Sequence, residues 1–113
     1  MEDEILRGDV VSAAIGSGFG GKPRPFIAVQ SDRYPTDRVI LVGCTSVIDA
    51  QFPFRPVLLP LPTNGLELRC QVMIDIPVSS YRSKISRRIG RLNASELAEI
   101  DSALLIVLGF ADV

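Results

Sequence analysis

All eight prolines of this chain fall between positions 23 and 77. Proline has no backbone donor, and inside a helix its ring clashes with the carbonyl four residues back, so no long helix fits that stretch. What lies around and between the prolines are short apolar segments: 9–15 (DVVSAAI), 26–31 (FIAVQS), 38–44 (RVILVGC), 56–59 (PVLL) and 68–78 (LRCQVMIDIPV). They are rich in β-branched residues and bounded by Gly, Pro, Asp or Asn, which is how strands are punctuated. Without helical crossovers such strands pair antiparallel, and the expectation is a mainly β barrel or sandwich.

The period changes near the C-terminus. Asn93 followed by Ala-Ser-Glu96 has the spacing of a capping box, with Asn93 as N-cap and Glu96 three residues into the helix. Leu97, Ile100, Leu104, Val107 and Leu108 then recur at helical spacing, and Gly109 is a natural stop. Leu105 and Ile106 widen the apolar face, so a helix over 94–108 is expected to be buried on more than one side, partly at a contact between two copies.

Residues 16–21, GSGFGG, fit G-x-G-x-x-G, and Asp37 follows about twenty residues on, the outline of a dinucleotide-binding turn. That turn must open a helix, whose free N–H groups meet the pyrophosphate. Here Lys22-Pro23-Arg24-Pro25 leads into an extended segment instead, because each proline pushes its predecessor out of the helical region. The glycines therefore read as a mobile loop between two antiparallel strands.

With 113 residues the chain makes one domain, 1–113. Its apolar fraction of 47% is high for so small a domain, and a buried homodimer interface would use the excess. Net charge is −1, but residues 82–91 hold Arg82, Lys84, Arg87, Arg88 and Arg91, a local cationic stretch. Cys44 and Cys70 sit in apolar runs with no C-x-x-C spacing, which reads as reduced core thiols in a cytoplasmic protein. MEDEILRGD has neither the basic nor the apolar region of a signal peptide, and no apolar stretch is long enough to span a bilayer, so no membrane association is expected. There is no histidine, which removes Ser-His-Asp and Cys-His nucleophiles and His-based zinc sites.

The order R-G-D-V-V, a glycine loop, R-P-F-I-A-V-Q-S, a strand ending C-T-S, then N-G-L, a strand through M-I-D, I-G-R-L and a helix ending L-G-F resembles the MazF/PemK family of toxin endoribonucleases over essentially the whole chain. The resemblance implies a small SH3-like antiparallel β-barrel, of the kind MazF and CcdB share, with a C-terminal helix and a homodimeric state. It also implies sequence-specific cleavage of single-stranded RNA, usually mRNA, without metal or other cofactor, and inhibition by a cognate antitoxin with an extended, partly acidic segment. The family's main catalytic Arg and Thr fall on Arg24 and Thr45. Asp75 matches a proposed acid–base Asp, but Met73 stands where some members carry its Arg partner. A CcdB-like gyrase inhibitor, or a member that has lost turnover, are the alternatives.

The residues themselves support this chemistry in part. Metal-free RNA cleavage uses the adjacent 2′-OH as nucleophile, and the charge that builds on the phosphoryl oxygens suits a planar guanidinium such as Arg24. Thr45, with Ser46 beside it, adds a hydroxyl donor. Lys22, Arg82, Lys84 and Arg87 are candidates for phosphate contact, and Phe19 and Tyr81 for base stacking. Each has a plainer reading: Arg24 a solvated loop-end cation, Thr45 a cap for its own turn, Asp75 a structural acceptor, 81–91 a charged loop.

Overall fold

A computed structural model describes residues 4–16 and 20–112. Strands β1 (Asp9–Ala14), β2 (Pro23–Ala28), β3 (Arg38–Thr45), β4 (Val57–Leu58), β5 (Cys70–Val72), β6 (Val78–Tyr81) and β7 (Ile85–Arg91) precede one helix, α1 (Ala94–Val107). The order across the sheet is β4-β5-β3-β2-β1-β7, with β6 also paired to β3. Every pairing is antiparallel. The sheet curls into a half-barrel, as the proline pattern and the absence of crossover helices lead one to expect.

Both faces of the sheet are covered, which is why β1 to β3 read as nearly continuous apolar runs. Val10, Ile27, Val42, Val72 and Ile74 pack with Ile100 of α1 on one face. Their neighbours Val11, Ala13, Phe26, Ala28, Val39 and Leu41 form a second cluster on the other, joined by Ile5, Met73, Val78 and Ile85. Cys44 and Cys70 are buried and free, diagonal neighbours across β3 and β5. Their mutual hydrogen bond and burial push the Cys44 thiol well above its usual range, which makes it inert.

Two expectations about strands are corrected. The segment 68–78 is not one strand: it breaks after Val72 into a turn carrying Asp75 and Pro77, and chain pairing resumes at Val78. Pro77 has no donor to continue a ladder, and Ile74 and Ile76 turn their N–H groups onto Val72 and Met73. The stretch 81–91 is not a loop: a 3-10 turn over Arg82–Lys84 leads into β7. Pro23 and Pro25 lie inside β2, where it pairs with β1 while β3 pairs only with Phe26, Ile27 and Ala28.

The helix starts and stops as its sequence signals. Asn93 and Glu96 form a reciprocal capping box. At the other end, the Phe110 N–H reaches the Leu105 carbonyl at 2.8 Å and Gly109 reaches Ile106 at 3.0 Å, with Gly109 at φ +84. Burial on more than one side is not found in the single chain. Leu97, Ile100, Leu104 and Val107 face the core, while Leu105, Leu108 and Phe110 are exposed. Asn93→Ala is expected to lower the free energy of unfolding by about 1 kcal/mol, read as a lower urea midpoint with unchanged slope.

Candidate functional site

The two leading candidates lie toward the same end of neighbouring strands. The β2–β3 ladder ends at Phe26↔Gly43, with Arg24 two residues before that pair on β2 and Thr45 two residues beyond it on β3. Arg24, Phe26 and Ala28 alternate onto the same face of β2, as Thr45, Gly43 and Leu41 do on β3. Arg24 is half-buried, held between two prolines, and Gly20 of the β1–β2 loop lies beside its guanidinium. Thr45 caps its own turn, accepting the Val47 N–H at 3.2 Å through Oγ1, a role that leaves the donor capacity of the hydroxyl unused by that bond. Ser46 and Lys22 are exposed at the same end.

On the other side of Thr45 stands Gln71 of β5. Gln71 is buried and fastens the segment 46–56: its amide donates to the carbonyls of Asp49 (2.9 Å) and Phe52 (3.3 Å), and its oxygen accepts the Asp49 N–H. Further along that segment, Arg55 reaches Asp75 with both arms of its fork, Nε to Oδ1 at 2.7 Å and Nη2 to Oδ2 at 3.0 Å. Its guanidinium also lies 4.0 Å over the Phe52 ring, and Phe52 stacks on Phe54. The Arg55 bond holds the Asp75 carboxyl below the usual carboxylate range. Asp75 is therefore an anion at neutral pH, able to accept a proton or a hydrogen bond and unsuited to donate one.

Lys84 ends the 3-10 turn just before β7, and Arg87 lies within β7. Ala13 pairs with Arg24 on one side and Ile85 on the other, so the start of β7 lies two strand spacings, roughly 10 Å, from Arg24. Both side chains are exposed. The other basic residues of 82–91 are engaged within the chain. Arg82 donates to the carbonyls of Thr36 (2.6 Å) and Ile5 (3.4 Å), while Arg91 (2.6 Å) and Arg88 (3.6 Å) flank the buried Asp9 carboxylate. Tyr81 is paired to Arg38, which donates to its hydroxyl at 2.8 Å and lies over its ring. Arg38 and Thr45 are the two ends of β3, roughly 23 Å apart, so Tyr81 is remote from Thr45 along that strand. Phe19 lies outside the described residues.

Arg55 and Gln71 are the residues that sequence reasoning missed. Arg55 had a signal: R-P occurs twice, at Arg24-Pro25 and in the aromatic run F-P-F-R-P. A cavity of about 770 Å³ lies between Ile5, Thr36 and Ile85–Arg88, and another of about 470 Å³ between Pro53–Pro56 and α1, but neither is lined by Arg24 or Thr45. Among the described residues, no three His, Cys, Asp or Glu side chains are grouped to hold a metal ion, and no helix is long and apolar enough to cross a membrane.

The sequence pattern of the PemK-like, MazF-like toxins of type II toxin–antitoxin systems matches residues 6–108. A probable endoribonuclease MazF of Mycolicibacterium smegmatis is 34% identical over 108 residues, covering 95% of this chain and 99% of the relative. Endoribonuclease MazF9 of Mycobacterium tuberculosis is 34% identical, covering 92% and 96%. Among solved structures, a mycobacterial endoribonuclease in complex with its cognate antitoxin superposes with a TM-score of 0.76 at 22% identity, covering 96% of this chain and 98% of that one. MazF in a MazE–MazF crystal from Deinococcus radiodurans gives 0.74 at 24% identity, covering 95% and 98%.

Proposed function

The chain belongs to the PemK-like, MazF-like toxins of type II toxin–antitoxin systems, and from that premise we propose that it cleaves single-stranded RNA by using Arg24 and Thr45 on the scissile phosphate. What supports this reading is that Arg24, two residues before the last β2–β3 pair Phe26↔Gly43, and Thr45, two residues beyond it, lie toward the same end of the two strands. The 2′-OH attacks phosphorus, the O2′–P bond forms, and the P–O5′ bond breaks, leaving a 2′,3′-cyclic phosphate and a 5′-OH. Arg24 takes the two non-bridging oxygens with its fork, and the Thr45 hydroxyl donates to one of them. Asp75, an anion, accepts from the 2′-OH, so the proton for O5′ comes from another group or from water.

Lys22, Ser46, Lys84 and Arg87 are assigned to the RNA backbone that flanks this phosphate. The same cations suit an acidic, extended antitoxin segment that excludes RNA. Exposed Leu105, Leu108 and Phe110, at 50, 56 and 80% of full exposure, support a homodimer joined partly through the end of α1. Light scattering at micromolar concentration is expected to give twice the chain mass, and a strictly monomeric mass would overturn the dimer.

The test of the activity is direct. The purified protein is incubated with long RNA in EDTA, and discrete fragments with 5′-OH ends are expected. Uncut RNA at high protein excess, over substrates of varied sequence, would sink the reading.

A further inference from the structure

We propose that Arg55 is a positioning residue for RNA cleavage: from the 46–56 segment it holds Asp75 as an oriented carboxylate, supplying the guanidinium that Met73 cannot. The inference rests on the ribonuclease reading above. Met73 packs into the apolar cluster of Val11, Phe26 and Leu41, so the residue two before Asp75 brings it no charge. Arg55 comes instead from a segment twenty residues earlier, and its fork fixes both carboxylate oxygens.

The pair is asymmetric, which separates positioning from simple fastening. The Arg55 side chain is 8% exposed and the Asp75 side chain 27%, so the cation is sunk in the protein and the carboxylate faces outward. The 46–56 segment is already fastened without it, by the Gln71 amide and by the Val72 N–H, which donates to the Pro56 carbonyl at 2.8 Å. What Arg55 adds is a fixed direction and a fixed charge on a carboxylate that stays partly exposed. An unrestrained aspartate on a turn would sample several rotamers, and each wrong one lowers the fraction of productive complexes.

Among the described residues, Glu99 of α1 lines with Arg55 the cleft against the helix, and Asp49 lies in the same 46–56 segment, where it accepts the Gln51 N–H. The sign of the pH effect follows from the carboxylate. Because Arg55 lowers the Asp75 pKa, Asp75 stays ionised to lower pH than an ordinary aspartate, and a rate that needs the anion falls only as pH drops through that lowered value. Without Arg55 the fall begins at higher pH.

The test is a double-substitution cycle with a pH profile, with folding checked at each pH by circular dichroism. Arg55→Met and Asp75→Asn are each expected to lower kcat on RNA about 10–100-fold at neutral pH, within the range that proton-transfer groups contribute. KM should move less. Combining them should cost no more than Asp75→Asn alone, since Arg55 acts through Asp75. Arg55→Met should move the acid limb of kcat upward, Arg55→Lys should restore part of both effects, and Glu99→Gln should leave the limb in place. Additive losses, or a loss of equal size at every pH, would make Arg55 merely structural and overturn the proposal. So would an Asp75→Asn protein with full activity. A wild-type protein that cuts no RNA would overturn the ribonuclease reading along with it, whereas cleavage with an additive cycle removes Arg55 alone.

Discussion

Replacing Arg24 with alanine is expected to lower kcat/KM for RNA by about 10²–10³-fold, the loss typical of one preorganised donor to a developing oxyanion. The dianionic phosphorane-like transition state carries more charge on its non-bridging oxygens than the ground state does. A forked cation binds that extra charge selectively, so kcat falls more than affinity. Arg24→Lys keeps the charge and loses the fork, and only part of the rate should return. Thr45→Ala removes a neutral donor, which is weaker by about half, and about 10–100-fold is expected. Thr45→Ser keeps the hydroxyl and should retain most of the activity. Both alanine variants should fold, because Arg24 and Thr45 lie at the edge of the packed sheet and outside both buried clusters. Folded Arg24→Ala protein with undiminished cleavage would remove Arg24 from the mechanism and return the phosphate position to Lys84 and Arg87.

The parts of the fold legible in the sequence are those set by local rules. Asn93, Glu96 and Gly109 state the ends of α1 in their own residue types, because capping involves only neighbours a few positions away. The prolines likewise exclude helices wherever they stand. β7 is different. Its pairing with β1 slips between Val10 and Val11 and again between Ser12 and Ala13. Each slip breaks the two-residue alternation, so Ile85 and Ile89 do not mark a strand face by spacing. The break in 68–78 was hidden by an apolar run that continues through the turn. The candidates Arg24 and Thr45 come from the family resemblance, carried on the R-P and T-S pairs, whereas the partners of Asp75 and Tyr81 come from 20 and 43 residues away. No periodicity reports such tertiary pairs. The widened apolar face of α1 is legible as apolar, but Leu105, Ile106 and Leu108 are left uncovered within one chain, and a sequence does not say whether the cover belongs to a second copy.

The motifs N-G-L and I-G-R carry the second large effect, on folding rather than chemistry. Gly65 and Gly90 sit where two backbones cross, the 61–65 turn lying on β7, with the Arg91 N–H bonded to the Thr63 carbonyl at 2.8 Å. A Cβ on Gly65 would overlap the Ile89 carbonyl, and one on Gly90 would overlap the Asn64 carbonyl and come 2.7 Å from the Gly65 nitrogen. In both cases the obstacle is backbone, which cannot rotate away as a side chain can. Gly65 also has φ +70, an additional strain for any L side chain. The crossing cannot open locally, because Asn64 beside it is fully buried with all four hydrogen-bonding capacities filled. Its oxygen accepts from the N–H groups of Leu61 and Leu66, and its amide donates to Leu59 and to Glu96, the glutamate of the helix capping box. Moving the turn away from β7 would therefore pull on the start of α1. Gly65→Ala and Gly90→Ala are each expected to cost at least about 3 kcal/mol, beyond most overpacking effects and enough to leave a marginal domain largely unfolded. The check is urea unfolding with a soluble-yield comparison. Gly109→Ala is the control: its φ is also positive, but open space surrounds it. It should cost only about 1 kcal/mol, the strain without the collision. If all three variants lost stability equally, the backbone crossing would not be what fixes glycine at positions 65 and 90.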